Sequence, residues 1–418
     1  MRPKSWGWIS MSERLEGKRV RIKAKGKIFE GIVMPSFTGN FVLKLDNGYN
    51  VGFKEYELLE VLEVEPFEPH LPELVKREGL PDVKIISTGG TIASKVDYRT
   101  GAVTSQFTAE EIASEVPELT EICNVDAELL YNILSENMKP ENWIELARHV
   151  YKALKDHEGV IITHGTDTMH FSAAALSFML STPKPVVFVG AQRSSDRPSS
   201  DAAMNLLCAA KAATEDIGEV VVCMHGSTSD DYCLVHRGVK VRKNHTSRRD
   251  AFQSVNAKPI GRIDYPSLSV EWLSWRYRRG ERELKLTDRL ERKVVLIKFF
   301  PGLSSDILEY YHSKGYRGFV IEGTGLGHVS TDWIDTLRRV CEDSVVVMTS
   351  QCLWGRVCDR VYDTGRDILR AGVIEGEDML PEVALIKLMW LLGNYSIEEA
   401  KEMVKKSVAG EIEPTTQY

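Results

Sequence analysis

Short, wholly apolar runs separated by longer helical stretches are the feature that most restricts how this chain can fold. The runs VKIIS, GVIIT, PVVFVG and EVVVCMHG recur between residues 83 and 226, and helical patterns such as ENWIELARHVYKALKDH lie between them. A strand without an alternating polar face must be covered on both sides, which is typical of parallel sheets in α/β proteins. We therefore predict an α/β fold with parallel sheets flanked by helices.

The texture of the sequence divides the chain into domains. Residues 17–62 read as short alternating strands, and Asn47-Gly48 between two of them is typical of a β-hairpin, so we expect a small SH3-like or Lsm-like β-barrel. After residue 292, apolar runs and helical segments alternate again and predict a second α/β domain. The predicted order is a barrel domain at 1–75, a linker at 76–82, a larger α/β domain at 83–265, an interdomain connection at 266–292 and a smaller α/β domain at 293–418.

Composition excludes several classes of protein. No run of about 18 apolar residues is present, so no transmembrane helix is expected, and the N-terminus lacks the apolar core of a signal peptide. The seven cysteines are scattered and show no C-x-x-C spacing. This pattern is typical of reduced thiols in the cytoplasm and argues against a structural zinc site.

Charge is distributed unevenly along the chain. The net charge of −7 argues that the chain as a whole is not a nucleic-acid binder. Residues 1–28, however, carry nine Lys and Arg against Glu13 and Glu16, and residues 29–75 reverse that balance. Two interpretations of the basic strip stay open, namely contact with phosphate and a solvated face of a small β domain.

Polar residues follow the apolar strands at the points where ligands usually bind. In open α/β sheets this is the crevice beyond the carboxyl ends of the strands. Thr88–Ile92 contains two glycines that let the backbone approach a ligand closely, although a purely structural turn is the alternative. His164–Thr168 and Ala191–Asp196 follow the next two strands. Two threonine hydroxyls and a carboxylate are thus expected along one edge of the sheet.

A threonine hydroxyl is a weak nucleophile and needs a neighbouring base. Lys243 is a candidate, because a lysine held near a hydroxyl can lose its proton when it is desolvated. It lies in a run with Arg242, Arg248 and Arg249, so a solvated basic face is the alternative that charge alone favours.

The segments ISTGGTIAS and ITHGTDTM resemble the two signature motifs of the bacterial-type L-asparaginase/glutaminase family. The resemblance covers residues 83–418 and implies the two-domain fold of that family. Matched motif by motif, it implies four catalytic residues, Thr91, Thr166, Asp167 and Lys243. It also implies a substrate-binding set of Gly90, Tyr98, Ser135, Glu136 and Ala191.

The chemistry that the resemblance implies is acyl transfer without a metal or cofactor in this chain. A threonine Oγ attacks the side-chain amide carbon, backbone N–H groups of the glycine turns stabilise the oxyanion, ammonia leaves and water releases the acid. Thr91 is placed ahead of Thr166 as the attacking residue. The other implied contacts are the lid for Tyr98, the substrate α-carboxylate for Ser135, its α-ammonium for Asp167 and the leaving amide for Ala191.

The N-terminal extension distinguishes this chain from ordinary asparaginases, which begin at the TGGT strand. Together with IASKVDYRTGAV and NHTSRRD, it resembles the D subunits of archaeal Glu-tRNA(Gln) amidotransferases. That resemblance implies a glutaminase whose ammonia is used by a partner, the E subunit, to convert Glu-tRNA(Gln) to Gln-tRNA(Gln) with ATP and Mg²⁺. It also implies a homodimeric core in a two-plus-two heterotetramer, with the tRNA held mainly by the E subunit. The alternatives are a free-standing L-asparaginase and an assembly protein with an inactive core.

Three further signals have structural interpretations. Cys223 is read as a core thiol, and Gly323–Gly327 as a loop of the smaller domain, because its glycine spacing differs from that of a dinucleotide turn. The aromatic and arginine-rich segment 272–282 is read as an interdomain or subunit contact, with stacking on RNA as the alternative.

Overall fold

The computed structural model describes residues 15–36, 40–46, 49–62, 76–90, 108–193 and 199–415, together with the backbone of 94–96 and 103–105. These parts of the chain form a small antiparallel β unit followed by two α/β units. The predicted fold class is therefore confirmed. Thr91 and Tyr98, both expected in the active site, lie outside the described residues.

The N-terminal unit is a five-stranded antiparallel sheet in the order β4-β3-β2-β1-β5. Its strands are β1 Arg19–Ala24, β2 Lys27–Met34, β3 Phe41–Leu45, β4 Asn50–Phe53 and β5 Glu57–Leu62. Alternate residues such as Val20 and Ile22 are fully buried, because successive side chains of a strand point to opposite faces. β3 and β4 form the expected hairpin, and its turn at Asn47-Gly48 lies outside the described residues.

The larger α/β unit is built on an eight-stranded sheet in the order β18-β17-β14-β13-β12-β10-β6-β9. The strands are β6 Asp82–Ser87, β9 Asn124–Leu129, β10 Gly159–Thr163, β12 Val186–Val189, β13 Val220–His225, β14 Tyr232–Arg237, β17 Gly261–Asp264 and β18 Val270–Trp272. The five strands from β13 to β9 are parallel, whereas β14, β17 and β18 add an antiparallel edge. The shorter pairs are β7 Ser94–Val96 with β8 Val103–Ser105, β11 Leu180–Ser181 with β19 Lys285–Leu286, and β15 Val241–Lys243 with β16 Phe252–Ser254.

The sheet of the smaller unit is wholly parallel. It consists of β20 Val294–Lys298, β21 Gly318–Gly323, β22 Val345–Ser350 and β23 Ile374–Glu375, in that order. The α-helices of the two α/β units are Ala109–Glu115, Leu119–Ile122, Pro140–Asp156, Met169–Met179, Ala202–Thr214, Asp306–Ser313, Ile334–Cys341, Asp363–Arg370, Pro381–Asn394 and Ile397–Met403. Short 3-10 turns span Ser135–Asn137 and Thr331–Trp333.

Helix Pro381–Asn394 joins the two α/β units through a continuous apolar core. It begins at a proline, which has no N–H to leave unsatisfied in the first turn, and nearly all of its residues are buried. It packs against helix Met169–Met179 of the larger unit, where the rings of Phe178 and Trp390 lie 6.1 Å apart. The position of the smaller unit is therefore fixed from within the core.

The predicted connection at 266–292 is more ordered than expected. β18 still pairs with β17 in the main sheet, and β19 pairs with β11. Its arginines bind the same chain, since the guanidinium of Arg276 lies 3.5 Å from the ring centroid of Trp272 and donates to Asp216. The segment is thus fastened to the larger unit, which agrees with the structural interpretation of its aromatic and arginine-rich composition.

Two structural absences concern the described part of the chain. No helix there is long and apolar enough to cross a membrane. No group of three or more His, Cys, Asp or Glu side chains within the same ranges is placed to hold a metal ion.

Buried ion pairs fasten the C-terminal segment to the core. Lys387 donates to Glu411 at 2.6 Å and to the carbonyl oxygens of Val404 and Lys406, and both members of the pair are fully buried. Burial lowers the pKa of Lys387, and the neighbouring carboxylate opposes that shift. Removal of either partner would leave the other without compensation in a medium of low dielectric.

We expect Glu411→Ala to lower the free energy of unfolding by about 3–5 kcal/mol, because Lys387 would remain buried without its counter-ion. The measurement is urea denaturation followed by circular dichroism. The matched control is Glu402→Ala, whose carboxylate pairs with Lys405 at the surface and should contribute less than about 1 kcal/mol. Equal losses in the two variants would contradict a structural role for the buried pair.

Candidate active site

The glycine turn of the first motif follows β6 and is shaped by contacts that only glycine allows. Gly89 and Gly90 have φ values of +107° and +97°, which L side chains rarely adopt. A Cβ on Gly89 would lie 2.5 Å from the carbonyl oxygen of Ile133, and one on Gly90 would lie 2.8 Å from the backbone nitrogen of Gly165. The first and second motifs therefore touch backbone to backbone, immediately before Thr91.

Two more strand-end loops meet the second motif at equally short range. A Cβ on Gly165 would lie 2.8 Å from the Cβ of Ser135, and one on Gly190 would lie 2.8 Å from the Cγ2 of Thr166. The hydroxyl of Thr168 donates to the carbonyl oxygen of Ser135 at 2.6 Å. The structure thus brings Ser135 and Thr166 to one edge of the sheet, together with the Gly90 turn and the strand end that carries Ala191.

Lys243 joins this cluster from the end of β15. Its Nζ donates to the Oγ1 of Thr166 at 2.8 Å and to Oδ1 of Asp167 at 2.7 Å. The side chain of Lys243 is only 8% exposed, whereas that of Asp167 is 68% exposed. Lys243 is therefore not part of a solvated basic face, and its ammonium group is held against the threonine hydroxyl by geometry that the sequence separates by 77 positions.

The remaining predicted residues have different surroundings. Ala191 follows Gly190 and is buried, as is Ser135. Glu136 lies in the same 3-10 turn as Ser135 but is exposed, and no hydrogen bond joins its carboxylate to the other site residues in the described ranges. Its assignment to the substrate-binding set stays a prediction.

A buried hydrogen-bond chain beneath the second motif was not foreseen from the sequence. The indole N–H of Trp143 donates to the Oγ of Ser172 at 2.9 Å, and this hydroxyl lies 2.8 Å from Nε2 of His164. Nδ1 of His164 lies 2.6 Å from the carbonyl oxygen of Gly165. Since the indole can only donate, Ser172 donates to Nε2 and the imidazole donates from Nδ1. The chain runs in one direction and ends on the peptide that precedes Thr166.

Burial lowers the pKa of His164 to about 4, so the imidazole is neutral around pH 7. A neutral ring with Nε2 occupied by Ser172 and Nδ1 by Gly165 has no free lone pair with which to act as a general base. His164 is therefore a positioning residue for the loop. The signal that could have found it is its place between a buried strand and Gly165, which is where a loop needs an internal support.

A second polar brace holds the loop after β12. Asp201 accepts hydrogen bonds from the backbone N–H groups of Gln192 at 3.0 Å and Arg193 at 2.9 Å. The amide of Asn205 donates to the same carboxylate at 3.0 Å and to the carbonyl oxygen of Gly190 at 2.9 Å. Both polar side chains are fully buried, so they fix the strand end beside Thr166 rather than contact solvent.

The other signals from the sequence have structural explanations. Cys223 is fully buried in β13, within the apolar core. The segment after β21 closes on itself as a tight turn, in which the N–H of Gly327 donates to the carbonyl oxygen of Thr324 at 2.9 Å. Neither feature adds a nucleophile or a phosphate cradle to the site.

Comparisons with known families agree with this architecture. Residues 82–276 match the family described as Asparaginase, N-terminal, and residues 293–404 match the Glutaminase/Asparaginase C-terminal domain. Residues 15–62 match the GatD N-terminal domain. Among solved structures, the thermostable L-asparaginase from Thermococcus kodakarensis is similar with a TM-score of 0.73 and 32% identity, covering 80% of this chain and 100% of the asparaginase.

Relatives of the whole chain are more similar in sequence. The D subunit of the glutamyl-tRNA(Gln) amidotransferase of Methanosarcina mazei is 52% identical over 423 residues, which cover 96% of this chain and 99% of the relative. The protein of the same name from Pyrococcus abyssi is 53% identical over 405 residues, covering 93% of this chain and 92% of the relative. The match thus includes the N-terminal unit that the asparaginase lacks.

We expect Ser172→Ala to lower the free energy of unfolding by about 2–4 kcal/mol, because it leaves Trp143 and His164 each with an unsatisfied buried group. It should also lower the turnover of amide hydrolysis by roughly tenfold, since one tenfold step corresponds to about 1.4 kcal/mol of misplacement in the transition state. Thermal unfolding and steady-state ammonia release measure the two effects. Ser177→Ala is the control, because that buried hydroxyl bonds only within its own helix. A turnover in Ser172→Ala equal to that of the control would refute the positioning role.

Proposed function

Because the chain belongs to the asparaginase/glutaminase family and, within it, to the D subunits of the Glu-tRNA(Gln) amidotransferases, we propose that it hydrolyses glutamine to glutamate and ammonia for that reaction. The single observation that carries the catalytic part is the contact of Lys243 with both Thr166 and Asp167. A lysine held on a threonine hydroxyl, with a carboxylate beside it, is the arrangement that threonine-based acyl transfer requires.

The proposed reaction proceeds in two acyl-transfer steps. In the first, a threonine Oγ forms a bond to the side-chain amide carbon of glutamine, and the amide nitrogen leaves as ammonia after it takes up a proton. In the second, water attacks the acyl-threonine ester, glutamate leaves and the hydroxyl regains its proton. We keep Thr91 as the attacking residue of the first step and assign to Thr166 and Lys243 the activation of the second nucleophile.

The electrostatics of the site support these roles. Backbone N–H groups in the glycine turns cost no reorganisation when an oxyanion develops, which is why loops without side chains suit this position. The exposed carboxylate of Asp167 suits the α-ammonium group of the substrate, while its other contact holds Lys243. We assign the α-carboxylate of glutamine to the Ser135 turn and the leaving amide to the neighbourhood of Ala191.

The setting of the reaction follows from the relatives. We propose that ammonia passes to the E subunit, which uses ATP and Mg²⁺ to convert Glu-tRNA(Gln) to Gln-tRNA(Gln), and that two copies of each chain assemble in the cytoplasm. This chain itself needs no cofactor in the proposed reaction. A free-standing asparaginase is the alternative, and relative rates with asparagine and glutamine distinguish the two.

The proposal is tested by ammonia release from glutamine, with and without the E subunit and Glu-tRNA(Gln). We expect the isolated chain to turn over slowly and the complete mixture to release ammonia in step with Gln-tRNA(Gln) formation. Rapid hydrolysis of asparagine by the chain alone, unaffected by the other components, would favour the free-standing asparaginase instead.

Within that assay we expect Lys243→Met to lower turnover by roughly 10²–10⁴-fold, the usual contribution of a positioned acid–base group. Methionine keeps much of the volume of the side chain while removing its charge. Lys258→Met is the matched control, because Lys258 is exposed in the same domain and should leave the rate unchanged. Retention of wild-type turnover by Lys243→Met would remove Lys243 from the mechanism.

A further inference from the structure

The β1–β2 hairpin of the N-terminal unit ends in a cluster of exposed lysines. Lys23 ends the outward-facing part of β1 opposite Ile28, Lys25 forms the turn with Gly26, and Lys27 begins β2. All of these residues are exposed, and Ile28 is 64% exposed. The segment Lys23–Ile28, called here the basic hairpin tip, therefore projects three positive charges into solvent.

Charge pairing differs sharply between the base and the tip of this hairpin. At the base, Arg19 binds Glu30 at 2.9 Å and Asp46 at 2.7 Å, and Arg21 binds Glu30 and Glu60. Among the described residues, the tip lysines make no ion pair with any carboxylate. The sheet thus neutralises its arginines internally and leaves the lysines of the tip for an external anion.

The backbone of the turn gives independent evidence that a lysine is retained there for its charge. Lys25 has φ +46° and Gly26 has φ +72°, the two positive values of a type I′ turn. Asparagine or glycine is preferred at the first of these positions, and another L residue there costs about 1 kcal/mol. The hairpin therefore carries a cationic side chain at a position where folding alone favours asparagine.

The distribution of the N-terminal unit among similar proteins narrows the choice of partner. The L-asparaginase of Thermococcus kodakarensis is matched over its whole length yet covers only 80% of this chain, whereas relatives named as tRNA amidotransferase subunits cover 93–96%. The unit accompanies relatives whose name includes a tRNA, and it is absent from one that is named as an asparaginase.

We propose that the basic hairpin tip binds the sugar–phosphate backbone of the tRNA, an inference that rests on the proposed function. Lysine is depleted in the cores of protein–protein interfaces, whereas phosphate contacts favour exposed lysines without partners. The net charge of −7 over the whole chain repels RNA, so a local positive tip would let this chain contact the tRNA without being its main binding surface. Contact with the E subunit is the competing outcome of the test.

The test uses the complex of this chain with the E subunit and measures the affinity for tRNA(Gln) over a range of salt concentrations. The variant Lys23→Gln, Lys25→Asn, Lys27→Gln removes three charges, and asparagine suits the positive φ of the turn, so the fold is retained. We expect the slope of log K against log salt to become shallower by about 2–3, since each phosphate contact contributes about 0.7–0.9. The control variant replaces three exposed lysines of the α/β units by glutamine, namely Lys152, Lys258 and Lys405.

Each outcome decides the question. A shallower slope and weaker binding in the hairpin variant alone, with unchanged ammonia release from free glutamine, supports the inference. Unchanged affinity and slope, or a loss of the E subunit from a variant whose residual complex binds tRNA normally, overturns the inference and leaves the proposed function standing. A wild-type complex that neither binds tRNA nor forms Gln-tRNA(Gln) overturns both.

Discussion

The whole site depends on loops that approach one another without side chains between them. Gly90, Gly165 and Gly190 lie where an added Cβ would come within 2.6–2.8 Å of a neighbouring backbone or side-chain atom. Real Cβ atoms essentially never make contacts this short, so these positions accept only glycine unless the loops separate. Because the loops close to this distance, Thr166 and the turn before Thr91 share one crevice at the carboxyl edge of the parallel strands.

Loops packed so closely leave many backbone groups without solvent, and buried polar side chains satisfy them. His164 does so as a neutral ring, because burial lowers its pKa to about 4. Asp201 does so as a carboxylate that accepts two backbone N–H groups and the amide of Asn205. Such groups are stable in the interior only when their hydrogen bonds are complete, which makes each loop rigid before any substrate binds.

Much of this was accessible from the sequence, for identifiable reasons. Wholly apolar strands predict a parallel sheet, and glycine and threonine directly after such strands predict a site at its edge. The antiparallel edge strands were not anticipated, since short strands such as β17 carry little periodic signal. The contact of Lys243 with Thr166 spans 77 positions and could be placed only through the family resemblance. The chain from Trp143 to Gly165 was missed, because nothing in a sequence shows which hydroxyl will face a given imidazole.

The position of Lys243 explains why the smaller α/β unit matters to a site built on the larger one. The neighbouring Arg242 lies on the same strand, and its Nε is 3.4 Å from the carboxylate of Glu382 in helix Pro381–Asn394. Burial raises the pKa of Glu382, and the guanidinium of Arg242 opposes that shift, so the carboxylate depends on this arginine for its charge. Strand β15 is therefore held on one side by Thr166 and on the other by the smaller unit. A displacement of that helix would move the catalytic lysine without touching the threonine loops.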